Sequence, residues 1–578
     1  MFLAVTPLEE FWDKNDELLF IGPWCALHER RPEWERLRPR FLADPWSDLA
    51  RFQAAASYCR DVSSHLLDQL VPYLNGTLGI IRSRRAWRIL LDPWLTYHVE
   101  QMYDHCVHVE DALKLEPSLR TFRLDPACDQ TPRSTADFMR LTAGHFFHLQ
   151  MFSHILAAKM PDSPVRALSE PTAPQPRPGF KRRAKRALTW ALTACARAGA
   201  GEILISELGL SRGERLRLIL GSRFKTLPYL AELPDSPAPI PDERRQGLRR
   251  LQARDEFERI FINALPHHLP TLFLEGYADA VNFTRSHLGR TPRAAFTTVD
   301  CHYADSFKFA AAECVERGAE LWGCQHGGSY GMMDYSPAED FERSVSDRYY
   351  CWGWSKTERD LKLRDLPPPM LSRNGATRSG DEVLYVSTPL DLHNVRLIRA
   401  NNNTLAFDYL NRQSRLLRAL PEPARSRTRL RLYRRDWGWK HRERIQELCP
   451  DTRFDDPESP FAHRLREVRL AVFDCPSTPL LEAMAADIPS VLSWREDAWP
   501  LRDAARPFVE ALKTVRILFD SPEEAAAQVG LIYADPRAWW DEPERRAAHR
   551  TFARNFARSS PDWLDAWLKE VREEPSTR

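Results

Sequence analysis

Two short stretches carry residue types that do chemistry on phosphates and hydroxyls. Residues 323–331 read GCQHGGSYG, with Gln325 and His326 set directly against Gly327 and Gly328. The apolar run before them, AELWGC, reads as a strand that ends at this point. Glycine lets the backbone turn tightly and approach a ligand closely, which places Gln325 and His326 at the lip of a cleft. A histidine there can donate to a phosphate or sugar carboxylate, or take the proton of an attacking hydroxyl. The competing reading is a core histidine satisfied by backbone, the commoner fate of a lone His. Asp334, Tyr335 and Glu339 follow, and the two carboxylates, Asp334 and Glu339, are candidate catalytic groups.

The second stretch is FDCPSTPLLEAMAADIPSVLSW, residues 473–494. A strand ends at Asp474 and a tight turn opens a helix. Ser477 or Thr478 can cap that helix, with Pro479 near its first position. Free N–H groups at such an end bind phosphate, helped by the helix dipole. Glu482, one turn in, can accept hydrogen bonds from ribose hydroxyls; equally, it can be a carboxylate that only answers the dipole. RLYRRDWGWKHR, residues 431–442, offers Arg434, Arg435 and Lys440 to a donor phosphate, or forms a charged rim with no ligand. HVEQMYDH, residues 98–105, could bring His98 and His105 onto one helix face. No third ligand is evident, and no DxD pair sits at a strand end, so no metal is expected.

These pieces need elements to hold them. ELLFIGPWC (17–25), GEILISELGLS (201–211), RAAFTTVD (293–300) and AELWGCQHGG (319–328) read as strands, with helical periodicity from about Trp46 to Met160. A Pro- and Gly-rich stretch at 363–381 reads as a linker. Beyond it, EVLYVSTP, RLRLYRRD, RLAVFDCPSTP, IPSVLSW and VRILFD alternate with helical segments. The expected organisation is an N-terminal α/β domain with a large helical insertion (1–362), a linker (363–381), a C-terminal nucleotide-binding α/β domain (382–545) and C-terminal helices (546–578). Two such Rossmann-like parallel-sheet domains face each other across a cleft in the GT-B layout of glycosyltransferases. Small-metabolite kinases and periplasmic-type binding folds share that architecture, so architecture alone does not assign chemistry.

The ordered set PLEEFWDKNDELLFIGPWC, GCQHGGSYG, DRYYCWGW, RLYRRDWGW and DCPSTPLLEAMAADIPS spans most of the chain. Together these segments resemble a family of bacterial transferases found in surface-polysaccharide gene clusters. The QHG and Ser-Thr/Glu elements are also similar to capsule-type transferases that use CMP-activated Kdo. More distantly they resemble CDP-glycerol phosphotransferases. The resemblance implies transfer of a sugar from a nucleotide sugar, a CMP-linked ulosonic acid by preference, to a glycan or lipid-linked acceptor. It implies no cofactor. A CDP-polyol phosphotransferase and a non-catalytic scaffold of a polysaccharide assembly complex remain the alternatives.

Composition excludes other classes. Lys+Arg 82 against Asp+Glu 80 gives no global charge for nucleic acid. The 11 cysteines are scattered without a CxxC pair, which fits reduced thiols in a cytosol. The N-terminus lacks a basic n-region and cleavage site, and no run reaches the roughly 18 apolar residues of a membrane span. The basic run at 181–186 offers peripheral contact with an anionic inner membrane, or simply starts a surface helix. The 18 tryptophans fill cores or stack on sugars.

Overall fold

The computed structural model describes residues 1–168, 201–234, 242–358, 360–373, 380–399 and 403–573. The expected basic helix at 181–201 lies almost wholly outside them. The chain opens with β1 (Phe2–Ala4), β2 (Leu18–Phe20) and β3 (Arg40–Phe41), which form a small parallel sheet. The strand expected at 17–25 is therefore real but belongs to this sheet rather than to a main one.

Long helices follow. Leu49–Leu78 starts where the Asp48 carboxylate accepts from Ala50 N–H and ends on Gly79 at φ +64°. Arg84–Leu115 is capped by the Ser83 hydroxyl, and His145–Lys159 packs against it. β4 (Arg123–Leu124) and β5 (Val165–Arg166) pair between them. This helical region precedes the first main sheet in the chain.

That sheet contains β6 (Ile203–Ile205), β7 (Thr226–Pro228), β8 (Ala294–Thr297), β9 (Glu320–Cys324), β10 (Arg348–Cys351) and β11 (Leu363–Asp365). All pairings are parallel, in the order β11-β10-β9-β8-β6-β7. The second holds β12 (Glu382–Val386), β13 (Thr428–Arg431), β14 (Arg453–Phe454), β15 (Val468–Phe473), β16 (Ser490–Ser493) and β17 (Leu518–Phe519). It too is parallel throughout, in the order β14-β13-β12-β15-β16-β17, which is the Rossmann order. The fold is α/β with two Rossmann-like domains, as expected. Parallel strands are covered on both faces, which is why the central strands are unbroken apolar runs such as AAFT and LAVF.

Two boundaries differ from expectation. β11 completes the first sheet from inside the supposed linker, so the first domain reaches at least Asp365. The C-terminal helices do not form a unit of their own. Pro543–Phe556 packs on the second domain, whereas Trp563–Arg572 crosses back to the first. There Trp567 meets Phe296 of β8 at 5.7 Å between ring centroids. The two domains are thus tied together at a second point. Among the described residues ten tryptophans are fully buried, so core filling is their main use. No described helix is long and apolar enough to cross a membrane.

Strand order reverses between β6 and β8 in the first domain and between β12 and β15 in the second. Ligands bind outside the carboxyl ends of parallel strands at such reversals, because the flanking loops diverge and leave a crevice.

Candidate functional site

The second-domain reversal is hollow. Tyr385 on β12, Asp474 after β15 and Trp494 after β16 line a pocket with Tyr409, Arg412 and Arg495. Burial pushes the Asp474 carboxyl up to about 6, against the donors it accepts from: Tyr409 Oη at 2.6 Å and Thr388 N–H at 3.2 Å. Aromatic rings and arginines suit a base and phosphates respectively.

Beside this pocket the helix Thr478–Ala485 begins at Ser477, with Pro479 in its first turn. Ser477 makes no side-chain cap, so its hydroxyl and the first helical N–H groups are not spent within the helix. Glu482 is half-buried and no described side chain hydrogen-bonds it. Burial pushes its carboxyl up to about 7, and the charges of Arg373 and Arg431 hold it back only in part. Arg434 and Arg435 stand apart from this. Arg434 is exposed and paired with Glu458 at 2.6 Å, and Arg435 lies 3.9 Å over the Trp437 ring. The RRDWGWK loop is built around Asp436, which accepts from the N–H groups of Gly438, Lys440 and His441. Those two arginines form a rim, and no hydrogen bond or ion pair links them to residues 474–482 among the described residues.

On the first-domain side the QHGG turn follows β9. Neither Gly327 nor Gly328 has a positive φ, so they are not there for a left-handed turn. Gly328 is there for contact. A Cβ on it would lie 2.2 Å from the Ser477 carbonyl carbon and 2.4 Å from the Thr478 nitrogen. The two motifs read separately in the sequence thus meet backbone to backbone across the cleft.

The two residues before the glycines part company. Gln325 is buried, not at the lip. Its Oε1 accepts from Trp352 N–H at 3.0 Å and Trp354 Nε1–H at 2.8 Å, and its Nε2 donates to Gly327 O at 2.8 Å. It is a structural bracket between β9 and the segment after β10. His326 keeps 29% of its side-chain surface open. Its Nδ1 lies 3.2 Å from Glu342 Oε1 and 3.2 Å from the Tyr330 hydroxyl.

Glu342 is the residue the sequence reading missed. It sits on the helix Pro337–Val345, buried, and gathers His302 Nε2 at 2.7 Å, Tyr330 Oη at 3.0 Å and Tyr349 Oη at 2.8 Å besides His326. Burial alone would push this carboxyl up. His326 and His302 outweigh it and hold the group at about 2, so Glu342 is ionised at neutral pH. A proton on His326 Nδ1 directed at this carboxylate leaves Nε2 as the basic atom of the ring.

The carboxylates expected to act here do other work. Asp334 is exposed and accepts from Gln53 Nε2 at 3.0 Å. Glu339 is buried between Arg343 at 3.1 Å and Arg502 at 3.0 Å, and accepts from Gly331 N–H at 2.9 Å. Arg502 comes from the second domain, so Glu339 is an interdomain tie. Glu342 is three residues on and shares its inward helical face.

A second missed residue is Arg396, delivered by the loop after β12. Burial works against its charge, but Tyr97, Tyr303, Tyr330 and Glu100 surround it and raise its pKa above the ordinary value. Tyr330 is the residue that also touches His326 and Glu342. The second domain therefore sets a positive charge near Tyr330, the residue that touches the first-domain histidine. Ser329, Met333, Tyr335, Arg396 and Trp499 line a cleft cavity at this place. His98 and His105 do not converge on one ion: His98 bonds His268 at 3.0 Å, and His105 bonds His148 at 2.8 Å. Among the described residues no three His, Cys, Asp or Glu are disposed to hold a metal.

A model of the LIC12162 family of transferases matches residues 1–571. No curated protein matches the chain. Among solved structures, a mutant O-GlcNAc transferase of Thermobaculum terrenum is similar at 13% identity, over 90% of this chain and 99% of that one, with a TM-score of 0.29. WaaG, a glycosyltransferase involved in lipopolysaccharide biosynthesis, is similar at 14% identity over 64% of this chain and 98% of its own, TM-score 0.31. The glycosyltransferase SnogD from Streptomyces nogalater is similar at 13% identity over 64% and 98%, TM-score 0.34.

Proposed function

The chain belongs to the LIC12162 family of transferases, and from that premise we propose that it is a glycosyltransferase moving a sugar from a nucleotide donor to a surface polysaccharide or glycolipid. The observation that carries the reading is the partly open His326–Glu342 pair, on the turn whose Gly328 abuts the N-terminus of the helix Thr478–Ala485, with Arg396 near Tyr330. The nucleotide occupies the pocket between β12 and β16, and its ribose extends to Glu482 on the neighbouring helix, outside the residues that line that pocket. His326 Nε2 takes the proton of the acceptor hydroxyl as its oxygen bonds to the anomeric carbon. The bond from that carbon to the donor phosphate oxygen breaks, and the phosphate leaves with the electron pair. Arg396 and the N–H group of Thr478 at the helix start stabilise its charge, while the Ser477 N–H is already given to Cys475 O at 2.9 Å. This scheme assigns no step to a metal. A CMP-linked ulosonic acid is the preferred donor, on resemblance alone, and the run at 181–186 is assigned to contact with the inner membrane leaflet.

A thermal-shift series with CMP, CDP, UDP and GDP tests the reading. A rise in Tm with a cytidine nucleotide is expected, and no rise with any of the four would return the chain to a scaffold. Product mass separates sugar transfer from phosphopolyol transfer.

Glu482 supplies a sharper test. Ionised, it accepts from the ribose; protonated, it loses most of that strength. With its carboxyl pushed up to about 7, wild-type nucleotide affinity should weaken as pH falls from 8 through 7 toward 6. Glu482→Gln should show weaker binding by about 1.5–3 kcal/mol at pH 8, the range for a bond to a charged group, and no such pH dependence. Calorimetric titration at three pH values reads both. Unchanged affinity in the variant would leave Glu482 as a partner of the helix dipole.

A further inference from the structure

The helix Arg212–Gly221, between β6 and β7, is packed on one side only. On its inner side Leu218 and Ile219 join Trp567 and Leu568 of the returning C-terminal helix. Glu214, also inner, is buried and paired with Arg373. The outer side carries Leu216 and Leu220, which are 55% and 53% exposed, and Phe224, also 53% exposed, follows just past the helix end. The four-residue spacing aligns the two leucines.

The chain around Phe224 is held in an unusual way. Arg223 and Phe224 sit at φ +53° and +61°, two consecutive non-glycine residues in the left-handed region. An aromatic residue adopts that conformation rarely. Such strain persists where the surrounding structure imposes it, and it concentrates at working surfaces. Here it accompanies an aromatic ring left half in solvent.

Charge completes the picture. Arg212, Arg217 and Arg223 are exposed around the apolar residues, and none forms an ion pair among the described residues. The only acid in residues 211–225 is Glu214, already neutralised inside. The bordering acids, Glu202 and Glu207, each pair with a base, Lys225 and Arg215, so the face is apolar at its centre with three arginines free of ion pairs among the described residues at its edge. A typical protein partner presents both signs, whereas a bilayer rich in acidic headgroups presents one, over an apolar interior.

We propose that this face docks the protein on an anionic phospholipid surface, with Leu216, Leu220 and Phe224 entering the headgroup boundary and the three arginines bonding lipid phosphates. The inference goes beyond the transferase reading and holds whatever the cleft transfers. It also differs from the contact assigned to residues 181–186, which is electrostatic only.

Flotation with vesicles of phosphatidylcholine containing phosphatidylglycerol, against phosphatidylcholine alone, tests it. The wild type should float with the mixed vesicles and be released in part by salt. The triple variant Leu216→Ser, Leu220→Ser, Phe224→Gly should partition at least about tenfold less, as expected on losing three interfacial apolar groups. Phe224→Gly alone should weaken flotation while Tm holds or rises, since glycine accepts the positive φ. Loss of structure therefore cannot account for that result. A wild type that ignores the acidic lipid would overturn the proposal. So would a triple variant that floats as well as the wild type, since binding would then rest on residues 181–186. A wild-type dimer in sedimentation velocity that the triple variant turns into a monomer would reassign the face to a second copy of the chain.

Discussion

Replacing His326 by alanine lowers turnover by roughly a hundredfold or more, while nucleotide affinity and Tm stay close to wild type. The size follows from the role: a positioned proton acceptor contributes about that much, and the ring is also the group nearest the developing charge. The restriction to turnover follows from geometry. The ring is partly open, and its own bonds are to Glu342 and Tyr330, which keep His302 and Tyr349 as further partners when it is removed. His326→Asn separates two roles, because an amide donates a hydrogen bond but does not titrate near neutrality. Recovery of rate in the asparagine variant would make His326 a donor to the phosphate instead of the base. Glu342→Gln should lose turnover as well, but with a lower Tm, since four donors converge on a carboxylate that a neutral amide replaces poorly. An alanine variant at 326 with near-normal turnover and a much lower Tm would return the histidine to the core and leave the cleft without a base.

The framework and half of the site were readable without coordinates. Central stretches such as AAF (294–296) and LAVF (470–473) announce themselves because burial on both faces demands apolar residues. The edge strands Leu363–Asp365 and Arg453–Phe454 do not, being three and two residues long and paired on one side only. Gln325 and His326 look alike in sequence, yet one is consumed by bonds from Trp352 and Trp354, which fold back from across the sheet. Nothing local reveals that. Glu342 was within reach: once the segment from Pro337 is taken as a helix, positions 339 and 342 share a face, and either carboxylate can turn inward. Arg396 was not, because it comes near Tyr330 only through the packing of the two domains. Gly328 shows the same limit, since its reason for being glycine is a backbone 149 positions away, at Ser477.

Stability should fall as pH drops from about 6.5 toward 5. Seventeen histidines are present, and nine of those described are held below their ordinary pKa, burial being the first cause in each. His98 is held at about 3 and His441 at about 4. Many form imidazole pairs: His98 with His268 at 3.0 Å, His105 with His148 at 2.8 Å, and His145 with His393 at 2.9 Å, the last joining the two domains. A lowered pKa means that the unfolded chain binds the proton first, so this stability is present above about pH 6.5 and is lost as pH falls. Asp104 beside His105 and Asp129 beside His154 and His267 temper the effect without reversing it for His105 or His267. Seven carboxyls act the other way. Glu100 and Glu482 are pushed up to about 7 and Asp474 to about 6, and burial raises Asp44, Asp92, Glu339 and Asp391 as well, so the folded chain binds those protons first and gains stability as pH falls. Nine histidines against seven carboxyls leave a net difference of about two protons at the limit. At about 1.4 kcal/mol per pH unit each, that is a slope near 3 kcal/mol per pH unit. Over two pH units it would consume about 6 kcal/mol of an ordinary folding free energy of about 5–15 kcal/mol. Urea midpoints between pH 7.5 and 5 measure the slope, and His148→Gln should flatten it by about one proton, about 1.4 kcal/mol per pH unit. The His148 ring is buried, its Nε2 bonds Thr142 O at 2.7 Å, and it stacks on His393 at 4.0 Å, so it reports on the packing between the domains. A midpoint that stays level down to pH 5 would mean that water reaches these rings and that the helical core is looser than its packing implies.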